Sequence, residues 1–490
     1  MPKVVILGAG IAGHTAASHL RRKLSGEHEI LVVSPNRNYQ WVPSNIWVGI
    51  GRMNVSDVSF PLEPVYKKHG IGYKQARVVS FHPEGSKTEN KPFVKVEYIY
   101  GENAGVQEDI SYDYLINATG PKLAFDLTEG LNPGTNKTFS VCTYDHAIHA
   151  SAALHQLISL VRSSGKRAKI LIGTGHARAT CQGAAFEYIL NVEKELVRFN
   201  VRDKIDVTWI SNEFQLGDFG MDGMLLAYGN KTLESSDMVE MVFADRGIKW
   251  ILGAGVYKVE DGKVLYENLN GDHKTEEFDF AMLIPSFSGH GFKAYDKVNT
   301  DITDKLFKGF MIVDADYSAK PYEDWSVQDW PETYQNPSYK NIFAPGIAFA
   351  PPHAISRPRK SKNGTEIFPS PPRTGMPSGI TAKIVSDNII DTIKSGSPSH
   401  AISLNHKGSM GNMGAACIAS AGYGLLDGNG ISMTTFPIVP DYNKYKHTHG
   451  RDLKKTFGDM GLAGHWLKLF LHYAFLYKAK MKPFWWLIPE

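Results

Sequence analysis

The chain has 490 residues, too many for one hydrophobic core, so two or three domains are expected. Hydrophobic residues make up 42% and charged residues 21%, as in an ordinary folded protein. A net charge of +3, with no basic stripe interleaved with aromatics, argues against a nucleic-acid partner.

Residues 4–7 read as a buried strand almost directly after Met1, and no signal peptide is visible ahead of them. The opening segment KVVILGAGIAGHTAASHLRRKL predicts strand, tight turn and helix, and EILVVSP predicts the next strand. Gly8, Gly10 and Gly13 stand in GxGxxG spacing within this βαβ start. Gly8 permits the turn, Gly10 lets a pyrophosphate approach the backbone, and Gly13 lets the helix pack on the strand. The helix N-terminus offers free N–H groups to the phosphates. The acid expected after the second strand is missing and Ser34 stands there, which speaks against an ordinary NAD site in this domain.

YDYLINATGPK predicts a strand leading into Ala118, Thr119 and Gly120, and NIFAPGIAFAPP a later strand with Pro345 and Gly346. Such elements recur where two-dinucleotide-domain flavoproteins cross near their flavin. Between them, AKILIGTGHARAT predicts a second strand–glycine-turn–helix. Gly173 and Gly175 are present, but Arg178 holds the third glycine position, which spoils the turn for NAD. A ligand-free structural βαβ unit is the alternative.

The three cysteines, Cys142, Cys181 and Cys417, are too few and scattered for a disulfide scaffold, and none forms a CxxC pair for zinc. Singly, each reads as a small buried hydrophobe. Residues 351–373 read as a surface loop or lid, and 400–445 are Gly-rich. The tail from 461 to 490 has an apolar run at 469–477 with Lys468, Lys478, Lys480 and Lys482, then Trp485 and Trp486. This composition suits lying in a membrane interface, and no stretch is long enough to cross one. The alternative is a helix docked on the core.

GAGIAG, NYQWVPSNIWVGIG, ATG, SVCTYDHA, TCQGAAFE, IFAPGIAFAPP and PPRTGMPSGITAKIVSDNI follow one another as in sulfide:quinone oxidoreductases. The resemblance covers residues 3 to about 482, and the cysteine set is its most specific part. It implies an α/β fold of two Rossmann-like dinucleotide-binding domains, glutathione-reductase-like, with a C-terminal membrane-binding segment. The expected division is 1–165 and 341–395 for the FAD domain, 166–340 for a second domain degenerate for NAD, and 396–490 for the tail.

What the resemblance implies of the site follows residue by residue. Cys142 matches a cysteine on one side of the flavin that is joined to FAD in some members. Cys181 and Cys417 match the pair that exchanges sulfur on the other side, with Glu187 as the nearby acid. His146 matches a histidine linked to the quinone side, whereas Asp218 stands where a second family histidine is usual. FAD contacts are expected from Gly8, Gly10, Ala12, Gly13, Ser34, Pro43, Ser44, Arg77, Val78, Ala118, Thr119, Gly120, Cys142, Gly346, Gly375 and Lys468. The usual quinone-contacting aromatic falls near Leu471, so Phe470, Tyr473 or Phe475 would serve.

The implied chemistry is attack of sulfide on a sulfur bridge between Cys181 and Cys417, with Cys417 released as the thiolate, aided by a lowered thiol pKa. Electrons pass through FAD to a membrane quinone. The implied partners are sulfide, quinone and the membrane surface, with no nucleic acid; homo-oligomerisation stays open. The fold family leaves two enzyme alternatives, a type II NADH dehydrogenase and a flavocytochrome c sulfide dehydrogenase subunit. A non-catalytic flavin-binding protein would need no facing cysteines.

Overall fold

Apolar runs bounded by glycine turns build two parallel sheets covered by helices. The computed structural model describes residues 1–372 and 374–490. In the first sheet β1 (Lys3–Leu7), β2 (Glu29–Val33), β3 (Gly72–Lys74) and β4 (Tyr114–Asn117) are all parallel, in the order β4-β1-β2-β3. Both faces are covered, which is why Val4, Val5, Ile6 and Leu7 are fully buried. Helix α1 (Ile11–Lys23) follows β1 through a turn with Gly8 at φ +96°. A Cβ on Gly13 would stand 2.0 Å from the Gly8 carbonyl oxygen, so helix and strand approach only through glycine.

The second sheet repeats the pattern. Its strands are β5 (Thr138–Phe139), β6 (Ala168–Thr174), β7 (Ile205–Ile210), β8 (Lys249–Ile251) and β9 (Phe280–Ile284), parallel in the order β5-β9-β6-β7-β8. Helices α2 (Tyr144–Ser164) and α3 (Gln182–Arg198) pack against it. The chain returns to the first sheet as β10 (Ile342–Phe343), parallel to β4, and then as α4 (Gly375–Lys394), which packs along α1. This is the fold of the flavoprotein disulfide oxidoreductases, as the two glycine turns lead one to expect. The crossings fall earlier than residues 165 and 340. β5 and α2 already belong with the second sheet, and strand Lys293–Ala294 pairs with Ala76–His82 of the first domain.

Residues after α4 complete a third sheet. β11 (Ala415–Tyr423), β12 (Asp427–Thr435) and β13 (Phe457–Gly461) run antiparallel, and a hairpin of the second domain, Leu225–Tyr228 and Lys231–Glu234, extends them. Helix α5 (Leu462–Ala479) lies across β11 and β12. Among the described residues no helix is long and apolar enough to cross a membrane. Residues 351–372 carry little regular structure, yet Ile355, Ile367 and Phe368 are buried, so the lid is packed down.

The reading of the tail as a surface cluster of lysines and tryptophans needs correcting. Lys478 is buried and pairs with Glu490 at 2.7 Å; Trp485 is 4% exposed and meets His19 edge-on. Glu490 also pairs with His19 of α1 at 2.6 Å. Helical periodicity turns Lys468, His472 and Phe475 inward and Trp466, Phe470, Tyr473 and Tyr477 outward. The tail is therefore half core and half surface, and deleting it would remove packing as well as any anchor.

Trp485→Ala should cost about 3–5 kcal/mol, read in urea unfolding and in faster proteolysis of the tail. Burial raises the Glu490 carboxyl, but the His19 hydrogen bond and the Lys478 charge outweigh this and hold it below its ordinary 4.5. A depressed carboxylate stabilises above its unfolded pKa and loses that contribution as pH falls through the folded one. The tail should loosen as pH falls below 4.5, and Glu490→Gln should loosen it already at neutral pH.

Candidate active site

The first glycine turn forms an open cradle. A Cβ at Gly10 would meet nothing within 4 Å, and α1 begins there with no side-chain cap and no acid in its first turn. The free N–H groups and the positive helix end are left for an anion. Gly8 lies against Ala118, where a Cβ would come 2.3 Å from the carbonyl oxygen; Gly346 packs on Ala12. Gly375 opens α4 beside Ile11, so two helix N-termini converge. These residues fit the pyrophosphate of an adenine dinucleotide.

Ser34 directly follows β2, and its Oγ accepts from the Asn36 amide at 3.2 Å. The Ala76 amide reaches the Ser34 carbonyl at 3.2 Å, which brings Arg77 and Val78 alongside. The Arg77 guanidinium itself is exposed and donates to Glu97 at 2.6 Å. Thr119 Oγ1 donates to Asn117 Oδ1 at 2.8 Å. Pro43 and Ser44 lie in the short helical turn Val42–Ser44, and Ser44 Oγ hydrogen-bonds His472 Nδ1 at 2.8 Å.

Tertiary packing brings the cysteines together as free thiols. Cys181 is the residue before α3 and takes a left-handed conformation, φ 71° and ψ 33°. A non-glycine residue there costs about 1 kcal/mol or more, a cost found where chemistry needs the residue. Cys417 lies in β11, and its sulfur is 3.1 Å from where a Cβ on Gly183 would be, in the first turn of α3. Cys181 is within electrostatic range of both Cys417 and Cys142. Cys142 comes just before α2, its amide donating to Ser140 Oγ at 3.1 Å. The expected lowered thiol pKa is not what the protein alone supplies. Burial pushes Cys142 up to about 11 and Cys181 and Cys417 up to about 12, outweighing the helix end.

Glu187 and Asn191 sit one turn apart on α3 and dress the free edge of β11. Glu187 Oε1 accepts from the Ser420 amide at 3.2 Å, Asn191 Nδ2 donates to the Ser420 carbonyl at 2.7 Å, and Asn191 Oδ1 accepts from the Gly422 amide at 3.3 Å. Two side chains thus replace a neighbouring strand. Glu187 Oε2 takes Lys468 of α5 at 2.9 Å, and Lys468 also donates to the Ile418 carbonyl at 3.3 Å. Burial raises the Glu187 carboxyl; the Lys468 charge and hydrogen bond oppose this. Lys468, expected as a flavin contact, is bonded to Glu187. Asn191, Gly183 and His472 escaped the sequence reading. The only signal was a Glu–Asn pair at i, i+4 on the otherwise apolar face of AAFEYILNVEKEL.

Phe470 and Tyr473 face outward, 66% and 65% exposed, while Phe475 stacks on Trp41 at 4.9 Å. His472 packs edge-on to Trp47, and burial holds it neutral, down to about 4. His146 lies in the first turn of α2 against Phe125, with Nδ1 buried and, among the described residues, without a hydrogen-bond partner. Asp218 accepts from the Gly220 amide at 2.9 Å and from Ser356 Oγ, so it fastens the lid. Burial raises its carboxyl to about 6.

The second glycine turn is covered. Arg178 pairs with Glu366 at 2.6 Å and lies 3.7 Å over the Phe368 ring. The Phe368 and Ser370 amides donate to the Ala177 and Ala179 carbonyls at 3.1 and 3.2 Å. Lid residues occupy the surface where a nicotinamide dinucleotide would lay its phosphates.

Residues 2–177 match the family model described as pyridine nucleotide-disulphide oxidoreductase. The sulfide-quinone reductase of Aquifex aeolicus is 27% identical over 481 residues, covering 97% of this chain and 91% of that protein. The X-ray structure of the sulfide:quinone oxidoreductase from the same bacterium aligns with a TM-score of 0.72 at 26% identity, covering 98% of this chain and 92% of that one. A type II NADH:quinone oxidoreductase of Staphylococcus aureus is 32% identical over 88 residues, 18% of this chain and 22% of that protein. The resemblance carried by the motifs is borne out over nearly the whole length.

A methyl at Gly183 would crowd the Cys417 sulfur. Gly183→Ala should cost about 1 kcal/mol and change the rate at which Cys417, followed by mass spectrometry, reacts with iodoacetamide. An unchanged rate would mean that the sulfur has room to move away.

Proposed function

We infer that this chain belongs to the sulfide:quinone oxidoreductases and oxidises sulfide with a quinone as electron acceptor. The observation that carries this reading is the approach of Cys417 to the start of α3 that Cys181 opens, from a distant segment and beside a buried acid. FAD, held through Gly8, Gly10, Gly13, Ala118–Gly120, Gly346 and Gly375, supplies the two-electron relay between sulfide and quinone when bound.

The chain's own residues handle the sulfur. With Cys181 and Cys417 bridged through sulfur, hydrosulfide attacks, one S–S bond breaks, a persulfide stays on Cys181 and Cys417 leaves as the thiolate. Burial makes the released Cys417 thiolate strongly basic, and Glu187 takes and returns the proton that the sulfur groups exchange. Cys142, within electrostatic range of Cys181, serves as a flavin tether or a sulfur relay. Phe470, Tyr473 and Phe475 line the route by which a quinone comes from the membrane, and His146 belongs to its proton supply.

The outward aromatics of α5 continue into Leu425 and Leu426, 71% and 88% exposed at the tip of the β11–β12 hairpin; Trp466 Nε1 donates to the Leu425 carbonyl at 2.7 Å. An apolar surface of this kind, with Lys480 and Lys482 nearby in sequence, supports docking on a lipid interface. The covered second glycine turn supports the exclusion of NADH.

Anaerobic mixing with sulfide should bleach the flavin, and added quinone should restore it; NADH should leave it oxidised. Cys181→Ser and Cys417→Ser should keep the flavin and lose bleaching by about 100-fold or more, whereas Cys142→Ser keeps partial activity if it is only a tether. Wild-type bleaching by Cys417→Ser would sink the pair assignment. Bleaching by NADH would favour the dehydrogenase alternative, and transfer to a haem protein but not to quinone would favour the flavocytochrome one.

Replacing Leu426, Phe470 and Tyr473 together by Ser should release the protein from lipid vesicles in a flotation assay while its melting temperature holds. Undiminished flotation would place the membrane contact elsewhere.

A further inference from the structure

We propose that Lys468 is a positioning residue of the sulfur site: through its ion pair with Glu187 it sets the field at the Cys417 sulfur, and so ties the outward-facing tail helix to the thiol chemistry. The proposal rests on the reading of Cys181 and Cys417 as the sulfur pair.

The geometry is closed on every side. Lys468 Nζ is 2.9 Å from Glu187 Oε2 and 3.3 Å from the carbonyl of Ile418, the residue after Cys417. Glu187 Oε1 holds the Ser420 amide at 3.2 Å, three residues further along the same strand. One ammonium thus fixes the carboxylate and the strand that carries the sulfur. The ionisable groups facing Cys417 are Glu187 and Cys181 from the α3 side and Lys468 from α5. Burial is the largest influence on the thiol; the Glu187 carboxylate adds to it, and the Lys468 cation opposes both. Where Cys417 ionises, Glu187 is already charged, so loss of the cation removes an attraction for the thiolate. Loss of the carboxylate removes a repulsion. The two substitutions must move Cys417 in opposite directions, whereas a purely structural pair would move it one way through shared loosening.

The test uses the flavin-loaded full chain and follows alkylation of Cys417 by iodoacetamide against pH, by mass spectrometry. Lys468→Met should shift the profile upward and Glu187→Gln downward, each by about one unit, and Lys468→Arg should restore the wild-type profile. Flavin content and melting temperature identify a variant that fails to fold, and Lys468→Gln then replaces Lys468→Met. In stopped flow, Lys468→Met should slow sulfide-driven bleaching about tenfold and leave reoxidation of the dithionite-reduced flavin by quinone within about twofold. An unshifted Cys417 profile with slowed quinone reoxidation would overturn the proposal and return Lys468 to the flavin and quinone side. If sulfide fails to bleach the wild type, the functional reading falls, while the alkylation profiles still decide the role of Lys468.

Discussion

The buried ion pair between Glu187 and Lys468 is the constraint around which the site is arranged. It joins α3, β11 and α5 at one point, and its members come from segments far apart in the chain. Removing both charges from water costs several kcal/mol, recovered only when each has its partners. Here the carboxylate has an ammonium and a backbone amide, and the ammonium has a carboxylate and a carbonyl. Breaking such a pair from one side leaves an uncompensated buried charge, worth about 3–5 kcal/mol. The antiparallel pairing with β12 sets the register of β11, and Glu187 and Asn191 satisfy its outer edge at Ser420 and Gly422.

The two glycine turns show how one local design reaches two outcomes. Each follows a buried parallel strand and precedes a helix. The first leaves open space above Gly10, at an uncapped helix end. The second is longer, ends in Cys181 rather than a helix-packing glycine, and is roofed by the Glu366 and Phe368 segment. A dinucleotide fits the first, while the second spends its helix end on presenting a thiol. The strained backbone at Cys181 agrees with that exchange, since glycine would sit there without cost.

Tail and catalytic core are one body. α5 shows its aromatics to solvent along one stripe and its lysine and histidine to the site along another. The C-terminal Glu490 closes the tail onto α1 through His19. A helix packed this way can hold an apolar outer face without unfolding, because the inward stripe provides the burial.

What the sequence determined by itself is the local grammar. Continuous apolar runs specify the strands, the glycine spacing at 8, 10 and 13 specifies the open turn, and Arg178 in place of a glycine already marks the second turn as changed, because these depend on residues a few positions apart. Only the tertiary structure decided which tail lysines face inward, that Lys468 meets Glu187, that Asn191 and Gly183 belong to the site, and that the thiols are held protonated. Those outcomes depend on burial and on partners hundreds of residues away; desolvation and long-range pairing arise only once the sheets and helices have packed.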